Sequence, residues 1–163
     1  MIFVTVGAQM SFDRLIEWVD RWAEERGRSD VVAQLGPSEY TPRHLEVAPF
    51  LAPPEFRSHL ERADVVVAHA GMGSILNALE LGKPIIVVPR YGARNETRND
   101  HQVATAHRLG EEGLVTVAET YEDLREALDH IDPDTPTARI AREAQPSLVA
   151  RIREFAVEAP TGS

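Results

Sequence analysis

The stretch Ala63-Asp64-Val65-Val66-Val67-Ala68-His69-Ala70-Gly71-Met72-Gly73-Ser74, with Ile75-Leu76 directly after it, decides the fold. A β-branched apolar run, 65–68, reads as a strand that is covered on both faces, since it does not alternate with polar residues. Two glycines then break the run, and Ile75, Leu76 and Leu79 recur at helical spacing until Gly82 and Pro84 close the segment. This is a strand, a small-residue turn and a helix. The turn has two readings: a bare connection, or a cradle in which backbone N–H groups at a helix N-terminus receive an anion, with Ser74 as cap and hydroxyl donor.

Outward from this stretch the pattern repeats. Apolar runs at 2–6, 31–35, 45–50, 85–88 and 114–117 alternate with amphipathic segments. Phe12, Leu15, Ile16, Val19 and Trp22 mark one helix, with Ser11 as N-cap and Gly27 as its end. Pro53 and Pro54 open a helix through Leu60, a further helix spans 100–109 and ends at Gly110, and another covers 121–131. The tail from 135 to 157 reads as helical with a break at Pro146. Alternating strands and helices imply an α/β fold: a Rossmann-like open parallel sheet with helices on both faces. The expected organisation is one domain, 1–158, with a flexible tail at 159–163; 163 residues suit a single core. Ligands on such sheets sit beyond the carboxyl ends of the strands, which directs attention to the loops after Val6, Leu35, Ala68 and Val88.

Composition excludes several functions. The formal net charge of -9 argues against a nucleic-acid groove and against unaided docking on anionic lipid. The absence of cysteine removes a disulfide scaffold, a thiol nucleophile and a cysteine zinc site. No apolar stretch approaches the ~20 residues of a membrane span, and the N-terminus lacks the basic start of a signal peptide. The expectation is a soluble, cytoplasmic chain.

Gly7 ends the first strand and would lie on the same edge as Gly71, which raises the case for a phosphate cleft. The segment from Arg90 to Gln102 places three arginines, two asparagines, a histidine and a glutamine after a buried strand. It reads as a ligand-facing segment, the plainer alternative being a solvated loop with Asp100 as N-cap. His69 is read as a strand-end residue bonded to backbone, with a catalytic role as the alternative. Asp132-Pro133-Asp134 has the D-x-D form of metal-dependent transferases but sits between helices beside two prolines, and is read as a turn. The six histidines are scattered and no metal site is expected. Trp18 and Trp22 share a helix face and suit core packing or a subunit contact.

Three ordered blocks carry a resemblance: the stretch quoted first, then Leu81-Gly82-Lys83-Pro84-Ile85-Ile86-Val87-Val88-Pro89-Arg90, then Asn99-Asp100-His101-Gln102. Together they resemble the C-terminal domain of family 28 glycosyltransferases. Ile2-Phe3-Val4-Thr5-Val6-Gly7 and Phe12-Asp13-Arg14-Leu15 are similar to its single-domain members: the catalytic subunit of the split N-acetylglucosaminyltransferase of lipid-linked oligosaccharide synthesis, and related bacterial exopolysaccharide subunits. The resemblance covers about residues 1–120 and implies one half of a GT-B fold that binds a UDP-sugar and needs no cofactor besides it. It implies donor binding by Gly7, Gly71, Met72, Gly73, Ser74, Asn77, Arg90, Asn99, His101 and Gln102. Asn77 departs from the Glu or Asp that relatives use for the ribose hydroxyls; Glu80 is one turn away. It further implies an inverting displacement, with the general base and acceptor pocket on a membrane-anchored, acceptor-binding glycosyltransferase subunit that would hold this chain peripherally at the inner membrane face. A homo-oligomer stays open. The rival readings are a sugar-nucleotide hydrolase or epimerase, and a non-catalytic nucleotide-sugar-binding module.

Overall fold

The computed structural model describes residues 1–7, 10–48, 50–94, 96–97 and 101–131, and the account below is confined to them. Asn99, Asp100, the Asp132-Pro133-Asp134 turn, the helical tail and the proposed end of the domain at 158 lie outside the described residues. Each apolar run contributes a strand: β1 (Ile2–Thr5), β2 (Val31–Gln34), β3 (Glu46–Ala48), β4 (Val65–His69), β5 (Ile85–Val88) and β6 (Thr116–Val117). All pair in parallel, in the order β3-β2-β1-β4-β5-β6. The sequence order therefore runs outward from β1 to one edge and resumes at β4 toward the other. Thr5 is in register with Gln34 on one side and with Ala68 on the other. That reversal is the switch point of the sheet, where two neighbouring connections part and leave a crevice.

The strands bury both faces, which explains their continuous apolar character. Ile2, Val4, Val67 and Ile86 pack with α1 (Asp13–Arg26) and α5 (Tyr121–His130), through Leu15, Ile16, Val19, Trp22, Leu124 and Leu128. Phe3, Val66, Ala68 and Val87 face the opposite way, onto α2 (Pro53–Arg62), α3 (Met72–Glu80) and α4 (His101–Glu111), through Leu60, Ile75, Leu79 and Leu109. Each fully buried residue of this kind contributes ~1.5–3 kcal/mol of transfer free energy. The outermost β3 is shorter than its apolar run, and Val47 and Phe50 are exposed, because an edge strand has one neighbour and a free side.

Three helix ends differ from the sequence expectation. Helix α1 begins after Phe12, not Ser11, and has no side-chain cap; burial of the Phe12 ring sets the entry of the chain. Helix α3 begins after Gly71, so Ser74 sits inside its first turn and does not cap it. Helix α4 runs through Gly110 and ends near Gly113, at φ +75°, where Leu114 donates back to the Leu109 carbonyl. Gly110 serves packing instead: a Cβ there would lie 2.8 Å from Cγ2 of Val117.

Candidate functional site

The loops after β1 and β4 meet at the switch point, and His69 lies between them. A Cβ on Gly71 would fall 2.1 Å from His69 Cε1, and one on Gly7, at φ +78°, would fall 3.0 Å from His69 Nε2. The space that both glycines leave is thus filled by the imidazole. Nothing approaches within 4 Å of the corresponding position on Gly73, which is exposed. Among the described residues the His69 ring is bonded to side chains, where the sequence reading favoured backbone. Its Nδ1 faces Gln102 Nε2 at 3.3 Å, and its Nε2 lies 3.5 Å from Ser74 Oγ. Burial, reinforced by the charge of Arg90, lowers the His69 pKa to about 3, so the ring is neutral at physiological pH.

Beside the ring opens a cleft of about 450 Å³. Its floor is polar: Thr5, Gly7 and Gln34 at the strand ends, with Gly73, Ser74 and Asn77 from α3. The opposite wall is largely apolar, formed by Leu51, Pro53, Phe56 and Leu60, with Arg57 as the charged residue among the lining residues. Arg57 forms an exposed pair with Glu61 at 3.0 Å. The Thr5 hydroxyl donates to Gln34 Oε1 at 2.5 Å and shapes the floor. The first turn of α3 carries no side-chain cap, so its N–H groups and the positive end of its dipole are available to an anion.

The remaining candidates take different positions. Met72 is partly buried against the core on the α2–α4 face. His101 is exposed at the first position of α4. Gln102, by contrast, is 3% exposed, and both ends of its amide meet protein groups. Arg90 is also 3% exposed. Its guanidinium donates to the carbonyls of Met10, Ser11 and Glu96, each at 3.0 Å, and to that of Val6. Desolvation draws it down to about 10, which leaves it charged at neutral pH. Arg90 thereby clamps the β1–α1 connection.

Sequence reasoning missed the bracket behind this clamp. Arg14 makes a bidentate pair with Glu96, 2.9 Å for each bond, and donates to the Pro89 carbonyl at 2.9 Å. Its guanidinium lies over the rings of Phe12, Trp18 and Tyr91. Glu96 also accepts from the Tyr91 N–H at 3.1 Å. The available signal was a single carboxylate amid the cations of 90–98. The apolar wall from Leu51 to Leu60 was also missed, because its residues read as ordinary helix entry.

An open parallel sheet with helices on both faces and a cleft at its switch point is the architecture of one half of a GT-B glycosyltransferase. Residues 1–156 match the model of the glycosyltransferase family 28 C-terminal domain, and the chain belongs to that family. It is 33% identical over 122 residues to the UDP-N-acetylglucosamine transferase subunit ALG13 of Homo sapiens, a match covering 69% of this chain and 10% of that protein. The glycosyltransferase of kitacinnamycin superposes with a TM-score of 0.67 at 23% identity, over 95% of this chain and 41% of the other. An NMR structure of ALG13 gives a TM-score of 0.58 at 20% identity, over 93% and 96% respectively. The chain thus spans a tenth of the human relative and less than half of the kitacinnamycin enzyme.

Proposed function

We propose that this chain binds a UDP-sugar and supplies the donor half of a two-part glycosyltransferase, transferring the sugar to a lipid-linked acceptor held by a membrane-associated partner subunit in polysaccharide or glycolipid synthesis. The observation that carries this reading is the cleft at the switch point, with one apolar wall and a polar floor that includes the uncapped first turn of α3. A planar base suits the wall of Leu51 and Phe56. The diphosphate suits the α3 N-terminus, the Ser74 hydroxyl and the His69 ring, with Gly7 and Gly73 allowing close approach; Gly71 makes room for that ring. Asn77 then reaches the ribose and accepts one hydrogen bond without a carboxylate's added strength. His101, at the head of α4, and Asn99 are assigned to the sugar, while Arg90 and Gln102 act from behind as supports.

The chemistry in this reading is an inverting displacement. The acceptor oxygen attacks the anomeric carbon as the bond to the β-phosphate oxygen breaks, and UDP departs with the electron pair. Donors aimed at the diphosphate stabilise the charge that develops there. The acceptor proton passes to a general base. The described residues lining the cleft include no carboxylate, and an imidazole whose pKa is lowered to about 3 accepts a proton only weakly. Both points favour a base on the partner. Among the described residues no helix is long and apolar enough to cross a membrane, so membrane attachment at the inner face is assigned to the partner.

UDP should raise the melting temperature of the isolated chain while CMP and NAD do not, since a ligand bound only by the folded state stabilises it. Transfer should require the acceptor-binding partner. Release of UDP into water by the chain alone would instead identify a hydrolase. Asn77 favours one second reading, a non-catalytic nucleotide-sugar-binding module, which predicts UDP binding without transfer whichever partner is added.

A further inference from the structure

We propose that Gln102 is a positioning residue that fixes His69 in its Nε2–H tautomer, so that the imidazole presents a hydrogen-bond donor to the anion side of the cleft. The backbone N–H of Arg90 can only donate, and it points at the Gln102 amide, 3.3 Å from Oε1. That contact sets which end of the amide is oxygen and which is nitrogen. The nitrogen end must then face His69 Nδ1, at 3.3 Å. An amide nitrogen donates and does not accept, so Nδ1 is the acceptor. A neutral imidazole carries one ring proton, which leaves it on Nε2.

The reference point is anchored. Arg90 is gripped through its guanidinium by the carbonyls of Met10, Ser11 and Glu96, and Gln102 is buried with it. The opposite tautomer would set two N–H groups against each other at His69 Nδ1. Rotating the amide would move that conflict to the Arg90 N–H. Meanwhile Nε2 lies between two residues that line the cleft, 3.5 Å from Ser74 Oγ and against the face of Gly7. A relay thus runs from the backbone after β5, through α4, to the end of β4. It converts a fixed main-chain donor into a fixed side-chain donor at the cleft.

The inference rests on the donor-site reading for its use, though not for its geometry, and the two are tested apart. Imidazole ¹⁵N–¹H correlation spectra at mildly alkaline pH should show Nε2 of His69 protonated and Nδ1 bare. In Gln102→Glu both carboxylate oxygens accept, one from the Arg90 N–H and one from the ring, so the proton should move to Nδ1. With a lone pair now facing phosphate oxygens, UDP affinity should fall about tenfold or more, while uridine, which has no phosphate, should bind as before. A bare Nε2 in the unmodified protein overturns the proposal, and so does a Gln102→Glu spectrum in which Nε2 keeps its proton as sole ring proton. The spectrum of the unmodified chain decides the tautomer even if the variant does not fold. If the tautomers behave as stated but UDP fails to bind, the tautomer assignment stands and the donor-site reading falls; if UDP binds both forms equally, the donor role of His69 is overturned while the donor-site reading stands.

Discussion

At the amino ends of the strands the Met1 ammonium meets Asp64 at 2.6 Å and Arg28 meets Asp30 at 2.7 Å, with the Asp64 and Asp30 side chains 65% and 45% exposed. At the carboxyl ends Arg14 pairs with Glu96 at 2.9 Å with both side chains 11% exposed, and Arg90 and Gln102 behind them are 3% exposed. The same sheet therefore leaves its charges in water at one end and encloses them at the other. Exposed pairs of the first kind contribute ~0–1 kcal/mol each, since water screens them and side-chain order opposes them. Enclosed pairs add little net stability, but removing one partner strands a buried charge. Geometry is accordingly enforced at the carboxyl end, where the cleft opens, and tolerated at the amino end.

The largest break in this contrast should come from Glu96→Ala. It leaves Arg14 without its carboxylate and should cost ~3–5 kcal/mol in denaturant unfolding. A joint Arg14→Met, Glu96→Leu replacement should recover most of that loss, because no charge is then left uncompensated; a cost as large as that of the single variant would show that the pair itself stabilises the fold.

Next in size is the pH dependence of His69. Its folded pKa of about 3 lies below the ordinary 6.5, so the unfolded chain takes up the proton more readily. The contribution is fully present above about 6.5 and is lost as pH falls from there toward 3. At pH 5 the loss should be about 2 kcal/mol relative to pH 7. His69→Gln should flatten that part of a stability–pH curve. At the amino end Asp30, held at about 2 by Arg28 against an ordinary 3.8, should lose its contribution only below about 4, which separates the two regions on one titration.

Smaller still is the effect at the polar floor of the cleft. Asn77→Glu should tighten UDP binding roughly fivefold by calorimetry, the difference between a neutral and a charge-assisted hydrogen bond. The smallest effect belongs to the amino end: Asp64→Asn should change unfolding stability by less than ~1 kcal/mol, and that little should fade with salt.

The amino-acid sequence by itself carried the strands, the glycine turns and the two-sided cover of the sheet. Each follows from short-range chemistry: an unbroken β-branched run such as Val65 to Val67 suits only a strand buried on both faces, and Gly7 and Gly71 mark strand ends whatever surrounds them. It also placed Gly7 and Gly71 on one edge, since parallel strands send all their carboxyl ends the same way. The order β3-β2-β1-β4-β5-β6 was not legible there, nor was the occupation of the glycine faces by His69. The tertiary structure alone turned Arg90 onto loop carbonyls, joined Arg14 to Glu96 across 82 positions and set Gln102 against His69 across 33. Local backbone preference is decided by neighbours a few residues apart. Which buried donor meets which acceptor depends on which strand ends the sheet brings side by side, and no stretch of sequence holds that information.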